Sequence, residues 1–522
     1  MMSLVEIVVK KTSEYSEEVP KPLRKEIGQF FTPPDIARLM AGHIKNNSES
    51  VSILDPGAGT GILAAAALEK ILETGRAKNI SIDLFETNKD IIPILSENME
   101  DIQQAIAGEK VDISINIKCE DFITFNSKKW MGVTPSKTYD VAISNPPYKK
   151  IGKDAVQAEI MRSIVYGQPN MYYLFMAMAS KLLKENGEFI FIVPRSFTSG
   201  LYFSKFREWF LNMMKITEMN VFESRDSMFI ADKVLQETLT ICAVKTKDAP
   251  HYVTVSESPD ITRPESNRST RIEYDLLITN DDHRFILIPT KESDKLAIHL
   301  VNSWGKTLEE RGYKLKTGQV IDFRETDWLR MEKASNTVPL IWPCNFENGK
   351  IEIKDSLEKK PQYFIRSSKT ERVMLAPGNY VLVKRFTSKE ESRRIQCAVL
   401  PQEFFEKHGG VCIENHVNIL AKGKGSMSTD EMMGLFVLFN SSYYDDYYRI
   451  LNGSTQVNAT EFNTICTPSS NKIAEMGAMS YRYPKLDTKT CDAILNTLLN
   501  EEENNEIRGE TAWKNWMRPK IY

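Results

Sequence analysis

A glycine-rich turn between a strand-like stretch and a strong helix former constrains the fold of this chain more than any other feature. Residues 51–54 (VSIL) predict a short strand, and residues 62–68 (ILAAAAL) predict a helix. The turn between them, residues 55–61, reads DPGAGTG. Glycine permits a tight turn and lets a ligand approach the backbone closely. A strand, a glycine-rich turn and a helix form the opening unit of a Rossmann-like α/β fold, although a purely structural turn uses the same residue types.

Polar residues follow the next predicted strands at the point where each strand ends. These strands are residues 80–85, 114–118 and 139–144. An open α/β sheet binds ligands at the carboxyl ends of its strands, and an acidic residue after the second strand can hold a ribose diol. Glu86 is therefore a candidate for ribose binding. Asp121 can accept a hydrogen bond from an adenine amino group and Phe122 can pack on that ring, while a helix N-cap is the alternative role for Asp121.

Residues 145–148 read NPPY and follow the last of these strands directly. Proline has no N–H and a nearly fixed φ angle, so the carbonyl groups around it point in set directions. The side-chain oxygen of Asn145 and the carbonyl of Pro146 can accept both hydrogens of an exocyclic amine. The ring of Tyr148 can stack on the planar group that carries this amine. The motif predicts a site that holds a nucleobase or an amide by its NH2 group.

The N-terminal region precedes these elements and has its own helix signals. Residues 1–20 mix a short, strand-like apolar run with charges and lack the long apolar core of a secretory signal. Residues 28–33 read GQFFTP and precede a helical pattern. Thr32 is the predicted N-cap, Pro33 suits the first helical position, and Asp35 favours the positive end of the helix.

Composition indicates a multidomain globular protein and excludes several classes. A chain of 522 residues, 42% hydrophobic and 26% charged, predicts two or three domains. A net charge of −3 excludes a polycation that coats nucleic acid, so DNA binding needs a local basic face. The sequence contains no apolar run of about 18 residues, so it predicts no membrane span. The seven cysteines form no CxxC pair, which predicts reduced thiols, no metal site and a cytoplasmic location.

The composition changes near residue 280, which predicts a domain boundary there. Residues 1–280 carry the strand-end motifs. Residues 281–522 contain short predicted strands, and their basic clusters alternate with aromatic residues. Basic residues among aromatic and amide groups suit contacts to phosphates and bases, whereas each cluster alone is also typical of a solvated face.

Taken in order, residues 28–33, the glycine turn, Glu86, residues 121–122 and the NPPY motif resemble the γ-class N6-adenine DNA methyltransferases. This class includes the TaqI enzyme. Stretches of the second half are similar to the recognition regions of type II modification enzymes such as the AccI and PstI methylases, whereas the second half departs from the TaqI pattern. These stretches are residues 316–324, 382–389, 414–416 and 455–460. The resemblance implies an α/β, Rossmann-like S-adenosylmethionine-dependent methyltransferase domain, followed by a mixed α+β target-recognition domain.

The resemblance also implies roles for individual residues. S-adenosylmethionine would be bound by Gln29, Phe30, Phe31, Thr32, Asp55, Gly57, Gly59, Gly61, Glu86, Asp121, Phe122 and Asn145. The catalytic residues would be Asn145, Pro146, Tyr148 and Phe229, with Phe229 against the second face of the target ring. The implied reaction is methyl transfer to N6 of an adenine flipped out of double-stranded DNA, without a metal.

The implied partners are double-stranded DNA and, where one exists, a separately encoded cognate restriction endonuclease, with a prokaryotic, nucleoid-associated monomer as the expected form. NPPY motifs also occur in methyltransferases that act on protein glutamine or RNA adenine, and cytosine-N4 enzymes usually place Ser or Asp at the position of Asn145. The modification half of a combined restriction-modification enzyme is a further alternative, although only 27 residues precede Gly28. The last alternative is a DNA-binding module with an inactive methylase fold.

Overall fold

The computed structural model describes residues 3–18, 31–222, 237–258, 268–353, 360–387 and 391–506. The chain forms two compact units, Met1–Glu292 and Ser293–Tyr522. None of the helices in the described ranges is both long enough and apolar enough to cross a membrane.

The first unit is built around a nine-stranded sheet. Its strands are β1 (Ser50–Asp55), β2 (Asn79–Phe85), β3 (Asp112–Lys118), β4 (Tyr139–Ser144), β5 (Leu183–Pro194), β6 (Lys215–Phe222), β7 (Thr238–Val244), β8 (Tyr252–Ser258) and β9 (Arg268–Glu273). Its helices are α1 (Leu4–Glu18), α2 (Pro34–Gly42), α3 (Ile62–Glu73), α4 (Ile92–Ala105), α5 (Phe122–Phe125), α6 (Ser127–Trp130), α7 (Val156–Ile160), α8 (Met171–Leu182), α9 (Ser204–Met213) and α10 (Tyr274–Leu277).

The strand order is β3-β2-β1-β4-β5-β7-β6-β8-β9. Strands β3, β2, β1, β4 and β5 are mutually parallel, and β7 runs antiparallel to both of its neighbours. The order reverses at β1, which lies between β2 and β4. Such a reversal opens a crevice at the carboxyl ends of the strands. The predicted Rossmann-like α/β fold is thereby confirmed.

Helices cover both faces of this sheet, as the alternation along β5 shows. Ile190 and Ile192 belong to the buried cluster that also contains residues of α1, α2, α3 and α4. Phe189 and Phe191 point to the other face, because successive side chains of a strand alternate. Their rings stack at 4.0 Å, and Phe189 contacts Phe210 of α9 at 5.5 Å.

Helix α1 differs from the strand-like run expected at the N-terminus. Leu4, Val5, Ile7 and Val8 are buried together, and this spacing matches one face of a helix. The four side chains pack against the core cluster that α3 also enters. Packing of an apolar face therefore overrides the β preference of the valines and isoleucine.

The second unit contains two further sheets. Its strands are β10 (Tyr313–Thr317), β11 (Leu329–Arg330), β12 (Thr337–Ile341), β13 (Phe346–Glu347), β14 (Lys350–Ile351), β15 (Tyr363–Ile365), β16 (Tyr380–Lys384), β17 (Cys397–Leu400), β18 (Cys412–Ile413) and β19 (Val417–Lys422). Its helices are α11 (Glu292–Ser303), α12 (Gln402–His408), α13 (Thr429–Asn440), α14 (Ser442–Leu451), α15 (Ala459–Asn463), α16 (Ser470–Ser480) and α17 (Thr488–Glu506).

The six-stranded sheet has the order β10-β19-β16-β17-β14-β13, and the four-stranded sheet has the order β11-β15-β12-β18. Helices α13 and α16 pack closely because glycine lies at each contact. A Cβ atom on Gly434 would overlap the Ile473 carbonyl, and one on Gly477 would overlap the Asp430 carbonyl. The predicted mixed α+β architecture of this half is confirmed.

Candidate active site

The glycine turn is held between the end of β2 and helix α4. The Ala58 N–H donates to the Phe85 carbonyl at 2.9 Å, which ties the turn to the end of β2. Gly61 has a φ of 92°, and a Cβ there would lie 2.5 Å from Met99 Cε. Only glycine meets both the backbone and the packing demand at this position. The turn therefore presents its backbone to the crevice beside β1.

Asp55, the last residue of β1, is a buried carboxyl with one unsatisfied oxygen. The Gly57 N–H donates to Oδ1 at 3.4 Å, whereas Oδ2 is buried and has no hydrogen-bond partner among the residues that the structure describes. Burial, with a smaller contribution from the nearby Glu86 carboxylate, raises the pKa of Asp55 to about 8, while the Gly57 N–H and the nearby Ser144 hydroxyl act in the opposite direction. An orphaned carboxylate oxygen in a protein interior is costly unless a donor or a cation meets it. Asp55 therefore fits a cationic ligand group.

Glu86 follows β2, as predicted, and its carboxylate is fixed by three backbone N–H groups. Gly59 donates to Oε2 at 3.0 Å, and Thr87 and Asn88 each donate to Oε1 at 2.8 Å. An ionised carboxylate accepts about four hydrogen bonds, so one acceptor position remains. The Gly59 contact links this carboxylate directly to the glycine turn. The sequence offers no signal for that contact.

Asp121 follows β3 and caps the short helix α5. Thr124 N–H donates to Oδ1 at 2.8 Å, and the Gln157 side chain donates to Oδ2 at 3.0 Å. The N-cap alternative is therefore what the structure shows, while each oxygen keeps a second lone pair. Phe122 is only 1% exposed and packs between Phe85 and Phe175, at centroid distances of 5.1 and 5.2 Å. Its ring lies in the packed interior beside the crevice.

Asn145 follows β4, and partners on both sides orient its amide. Its Nδ2 donates to Thr32 Oγ1 at 3.1 Å. Its Oδ1 lies 2.8 Å from the Tyr148 hydroxyl, which also lies 3.0 Å from the Ile192 carbonyl. Burial raises the pKa of Tyr148 well above its usual value, so this hydroxyl keeps its proton. An amide oxygen has two lone pairs, and the Tyr148 hydroxyl lies within hydrogen-bond distance of this one.

The structure corrects the predicted role of Thr32 as a helix cap. Pro33 occupies the N-cap position of α2, Pro34 begins the helix, and no side chain caps it. The prolines lack N–H groups, so the first turn needs fewer acceptors. The Thr32 hydroxyl is instead available to the amide of Asn145. The family resemblance implies that Thr32 and the residues just before it bind the cofactor, but nothing in the sequence links Thr32 to Asn145.

The glycine turn and the NPPY motif are neighbours because β1 and β4 pair in parallel. A Cβ atom on Gly57 would lie 3.8 Å from the Asn145 carbonyl oxygen. Pro146 is buried beside it. The structure thus brings Asp55, Glu86 and Asn145 to one edge of the sheet. Three predicted site residues, Gln29, Phe30 and Phe229, lie outside the described residues.

The structure also describes Phe31, a predicted site residue, and Arg195, which belongs to no sequence motif. Phe31 is half-buried, and its ring contacts Tyr15 edge-on at 6.0 Å. Arg195 follows β5 and forms a buried ion pair with Glu237 at 2.8 Å. Sequence reasoning missed this pair, because neither residue belongs to a motif. The pair connects the end of β5 to the residue that precedes β7.

Comparisons with known proteins agree with the motifs. Residues 60–229 match the family described as Eco57I restriction-modification methylase. The chain is 35% identical to the Type II methyltransferase M.BsuBI of Bacillus subtilis, over 90% of this chain and 93% of that protein. It is 31% identical to the Type II methyltransferase M.PstI of Providencia stuartii, over 91% of this chain and 94% of that protein.

Among solved structures, the chain resembles a nuclease-deletion mutant of the Type ISP restriction-modification enzyme LlaGI in complex with a DNA substrate mimic. This match has 12% identity and a TM-score of 0.45, and it covers 86% of this chain and 54% of that chain. The likeness is too distant to bear on function. The two relatives that align along nearly their whole length are decisive, and the chain belongs to the type II methyltransferases of restriction-modification systems.

Proposed function

We propose that this protein transfers a methyl group from S-adenosylmethionine to N6 of an adenine flipped out of double-stranded DNA. The observation that carries the proposal is the oriented amide of Asn145, fixed by Thr32 and Tyr148 next to the glycine turn. This arrangement places an acceptor for an exocyclic amine beside a candidate cofactor site. The first unit would perform catalysis and the second would recognise the target, close to the predicted division into residues 1–280 and 281–522.

The crevice residues fit S-adenosylmethionine. The orphaned Oδ2 of Asp55 suits the positively charged methionine end, and a Cβ atom on Gly59 would meet nothing within 4 Å, which leaves space for a ligand near the backbone of the turn. Glu86 has acceptor capacity for the ribose hydroxyls, and Asp121 has it for the adenine amino group. Residues 29–32 would contact the methionine part. When bound, the cofactor supplies a methyl group on a sulfonium centre, which a nucleophile can attack directly.

Asn145 and Pro146 would make the target amine a better nucleophile. The lone pair of an aromatic amine is delocalised into its ring. Two acceptors on its hydrogens draw the nitrogen toward tetrahedral geometry and stabilise the positive charge that grows during attack. Asn145 Oδ1 would serve as one acceptor and the Pro146 carbonyl as the other. Fixed alignment of amine and methyl donor supplies the rest of the rate enhancement.

Tyr148 and Phe229 would hold the flipped base between two rings. Removing a base from the duplex stack costs a few kcal/mol. Stacking on an aromatic side chain returns about 1–3 kcal/mol per ring. In the present structure the Tyr148 hydroxyl is engaged with Asn145 and Ile192, and its ring is half-buried. The hydroxyl therefore orients the amide, while the ring is offered to the base.

Expression of the protein in a host that lacks adenine methylation tests the proposal. We expect sequencing of the host DNA to show N6-methyladenine at one recurring sequence, and none in cells that carry the empty vector. Methylcytosine in place of methyladenine would contradict the assignment of the target atom. Methylation of RNA or protein with unmodified DNA would contradict the substrate class. A recurring sequence would also define the site that a separately encoded endonuclease has to share.

Thr32→Val should lower the rate of methyl transfer about tenfold, because it removes the acceptor that orients Asn145 and one such hydrogen bond contributes about 0.5–1.5 kcal/mol. Thr32→Ser keeps the hydroxyl and should restore most of the rate. Single-turnover rates and S-adenosylmethionine dissociation constants, measured for both variants, separate orientation of the amide from cofactor contact. An unchanged rate with weakened cofactor binding in Thr32→Val would assign the hydroxyl to the cofactor alone.

A further inference from the structure

Strands β10 and β16 of the second unit end, and strand β19 begins, at the same side of the six-stranded sheet. Thr317, the last residue of β10, pairs with Asn418 of β19. Lys384, the last residue of β16, pairs with Val417, the first residue of β19. The connections that leave β10 and β16 and the one that enters β19 therefore lie side by side. These connections contain stretches that are far apart in the sequence.

Backbone hydrogen bonds join these connections into one surface. Arg385 N–H donates to the His416 carbonyl at 2.9 Å, and Asn415 N–H donates to the Val320 carbonyl at 2.9 Å. Val457 N–H donates to the Arg385 carbonyl at 2.7 Å, which adds a fourth connection. The surface, termed the loop face, comprises residues 316–324, 384–387, 414–416 and 454–457.

Gly318 allows the closest approach within the loop face. A Cβ atom at this position would overlap the carbonyl of Glu414. Its N–H donates to the Val417 carbonyl at 2.8 Å. The first connection is therefore pressed against the third, and their side chains are presented from a rigid base.

A histidine and a phenylalanine form the exposed centre of the loop face. The side chain of Glu414 is fully buried, and its carboxylate accepts from the backbone N–H of His416 at 2.8 Å and lies 2.5 Å from Nδ1 of that ring. The imidazole is thereby fixed through Nδ1, and Nε2 is left for an external partner. The Phe386 ring lies 5.0 Å from the imidazole and is 40% exposed.

Basic side chains lie in the same loop face as this pair. Lys316, Arg324, Lys384 and Arg385 are half-buried or exposed, and the Arg385 guanidinium lies 5.5 Å from the Phe386 ring. The acidic groups of the loop face are already engaged. Glu414 holds His416, and Asp322 pairs with Lys360 at 3.7 Å. An exposed aromatic ring, an oriented imidazole and unneutralised cations together suit a polyanion that carries planar groups.

We propose that the loop face is the surface through which the second unit contacts double-stranded DNA. Phe386 and His416 touch the bases, and Lys316 and Lys384 contact phosphates. The inference rests on the proposed function, since it names where the proposed substrate is held. It gives one role to the basic and aromatic side chains that residues 316–324, 384–387 and 414–416 carry at separate places in the sequence. They form one surface.

The same sheet offers a matched control at its opposite end. Leu400, the last residue of β17, pairs with Tyr380, the first residue of β16, so helix α12 follows at the other end. Phe404 and His408 of α12 also form a half-buried pair of rings, with centroids 4.3 Å apart. Their substitution removes the same groups from the same unit without touching the loop face.

The test compares Phe386→Ala and His416→Gln with Phe404→Ala and His408→Gln in the full-length protein. The probe is a duplex that carries the sequence methylated by the wild-type protein. We expect about tenfold or greater loss of duplex affinity for the two loop-face variants, and less than about twofold for the controls. Affinity for S-adenosylmethionine and the unfolding temperature, measured in parallel, should not separate the two sets.

The salt dependence of duplex binding supplies a second readout, and the exposed residue Lys316 is the position to substitute. Lys316→Gln should reduce the slope of log affinity against log salt concentration by about 0.9, the effect of one phosphate contact. Wild-type affinity in Phe386→Ala and His416→Gln, or equal losses in the controls, would overturn the loop face while DNA methylation by the wild type stands. A wild-type protein that neither binds nor methylates DNA would overturn the proposed function itself.

Discussion

Asn145→Ala should lower methyl transfer at least about a hundredfold, because removal of one preorganised group at the reacting atoms typically costs a factor of 10²–10³. The substitution deletes the amide oxygen proposed to accept from the target amine. It leaves Asp55 and the glycine turn in place. Affinity for S-adenosylmethionine should therefore change little. Single-turnover methylation of a duplex and calorimetric titration with the cofactor measure the two effects separately.

The amide of Asn116 provides a matched control. Asn116 lies on β3, two residues before the strand ends, and its side chain donates to Asp83 at 3.1 Å rather than to a residue of the candidate site. Asn116→Ala should methylate DNA at a rate close to that of wild type. Near-normal activity of Asn145→Ala would remove the amide from the reaction. A large loss of cofactor affinity in that variant would instead assign Asn145 to the cofactor site.

The sequence predicts the fold of the first unit well because its signals are local. A strand, a glycine turn and a helix specify one another within 18 residues, from residue 51 to residue 68. Each later strand repeats the pattern and ends in a polar residue. Parallel pairing then brings Asp55, Glu86 and Asn145 to one edge. Local periodicity and general rules for α/β sheets are sufficient for this result.

Contacts between distant segments are what the sequence does not predict. Thr32 and Asn145 are separated by 113 positions, and their hydrogen bond depends on how α2 packs on the sheet. The pair of Arg195 and Glu237 likewise spans 42 positions. The strand-like start of the chain forms α1 because its apolar face finds a core. No local pattern reports the first two contacts. At the start of the chain the helical spacing of Leu4, Val5, Ile7 and Val8 is visible, but packing decides between a helix and a strand.

The second half shows the same limit in a different form. Its basic and aromatic clusters are visible in the sequence, but each one alone is typical of a solvated surface. The registers of β10, β16 and β19 bring two of these basic clusters, at Lys316 and at Lys384 and Arg385, to one loop face. Strand β10 pairs with β19 at residues that lie 101 or more positions apart, and a period-two pattern alone does not specify that register.

Asp55→Asn should weaken S-adenosylmethionine binding about a hundredfold or more, because truncating the charge of a buried ionic contact costs about 3–5 kcal/mol. The same carboxyl should make binding depend on pH. Burial raises the pKa of Asp55 to about 8, so in the free protein the group is neutral below that pH. A cationic ligand requires the ionised form. Binding should therefore release a proton at neutral pH and tighten as the pH rises toward 8.

The effect on folding has the opposite sign. The folded-state pKa of Asp55 lies above its ordinary value of 3.8, so ionisation is harder in the folded protein than in the unfolded chain. The stability contributed by this group is complete below pH 3.8 and is lost as the pH rises through about 8. Asp55→Asn should remove this loss, so the variant should gain stability relative to wild type between neutral pH and pH 9. Thermal unfolding without cofactor, across that range, measures it.

Cofactor titrations of wild type and Asp55→Asn between pH 6 and 9 test the expected loss of affinity and its pH dependence together. The amino group of the ligand also titrates near pH 8. The Asp55→Asn variant retains that ligand titration and lacks the carboxyl, so the difference between the two proteins isolates Asp55. Parallel pH profiles in the two proteins would show that the orphaned oxygen does not face the cofactor. We expect cofactor binding to depend more steeply on pH in wild type than in Asp55→Asn. This result, together with a variant that is more stable but does not bind the cofactor, would identify Asp55 as a destabilising buried carboxyl whose charge the cationic cofactor balances.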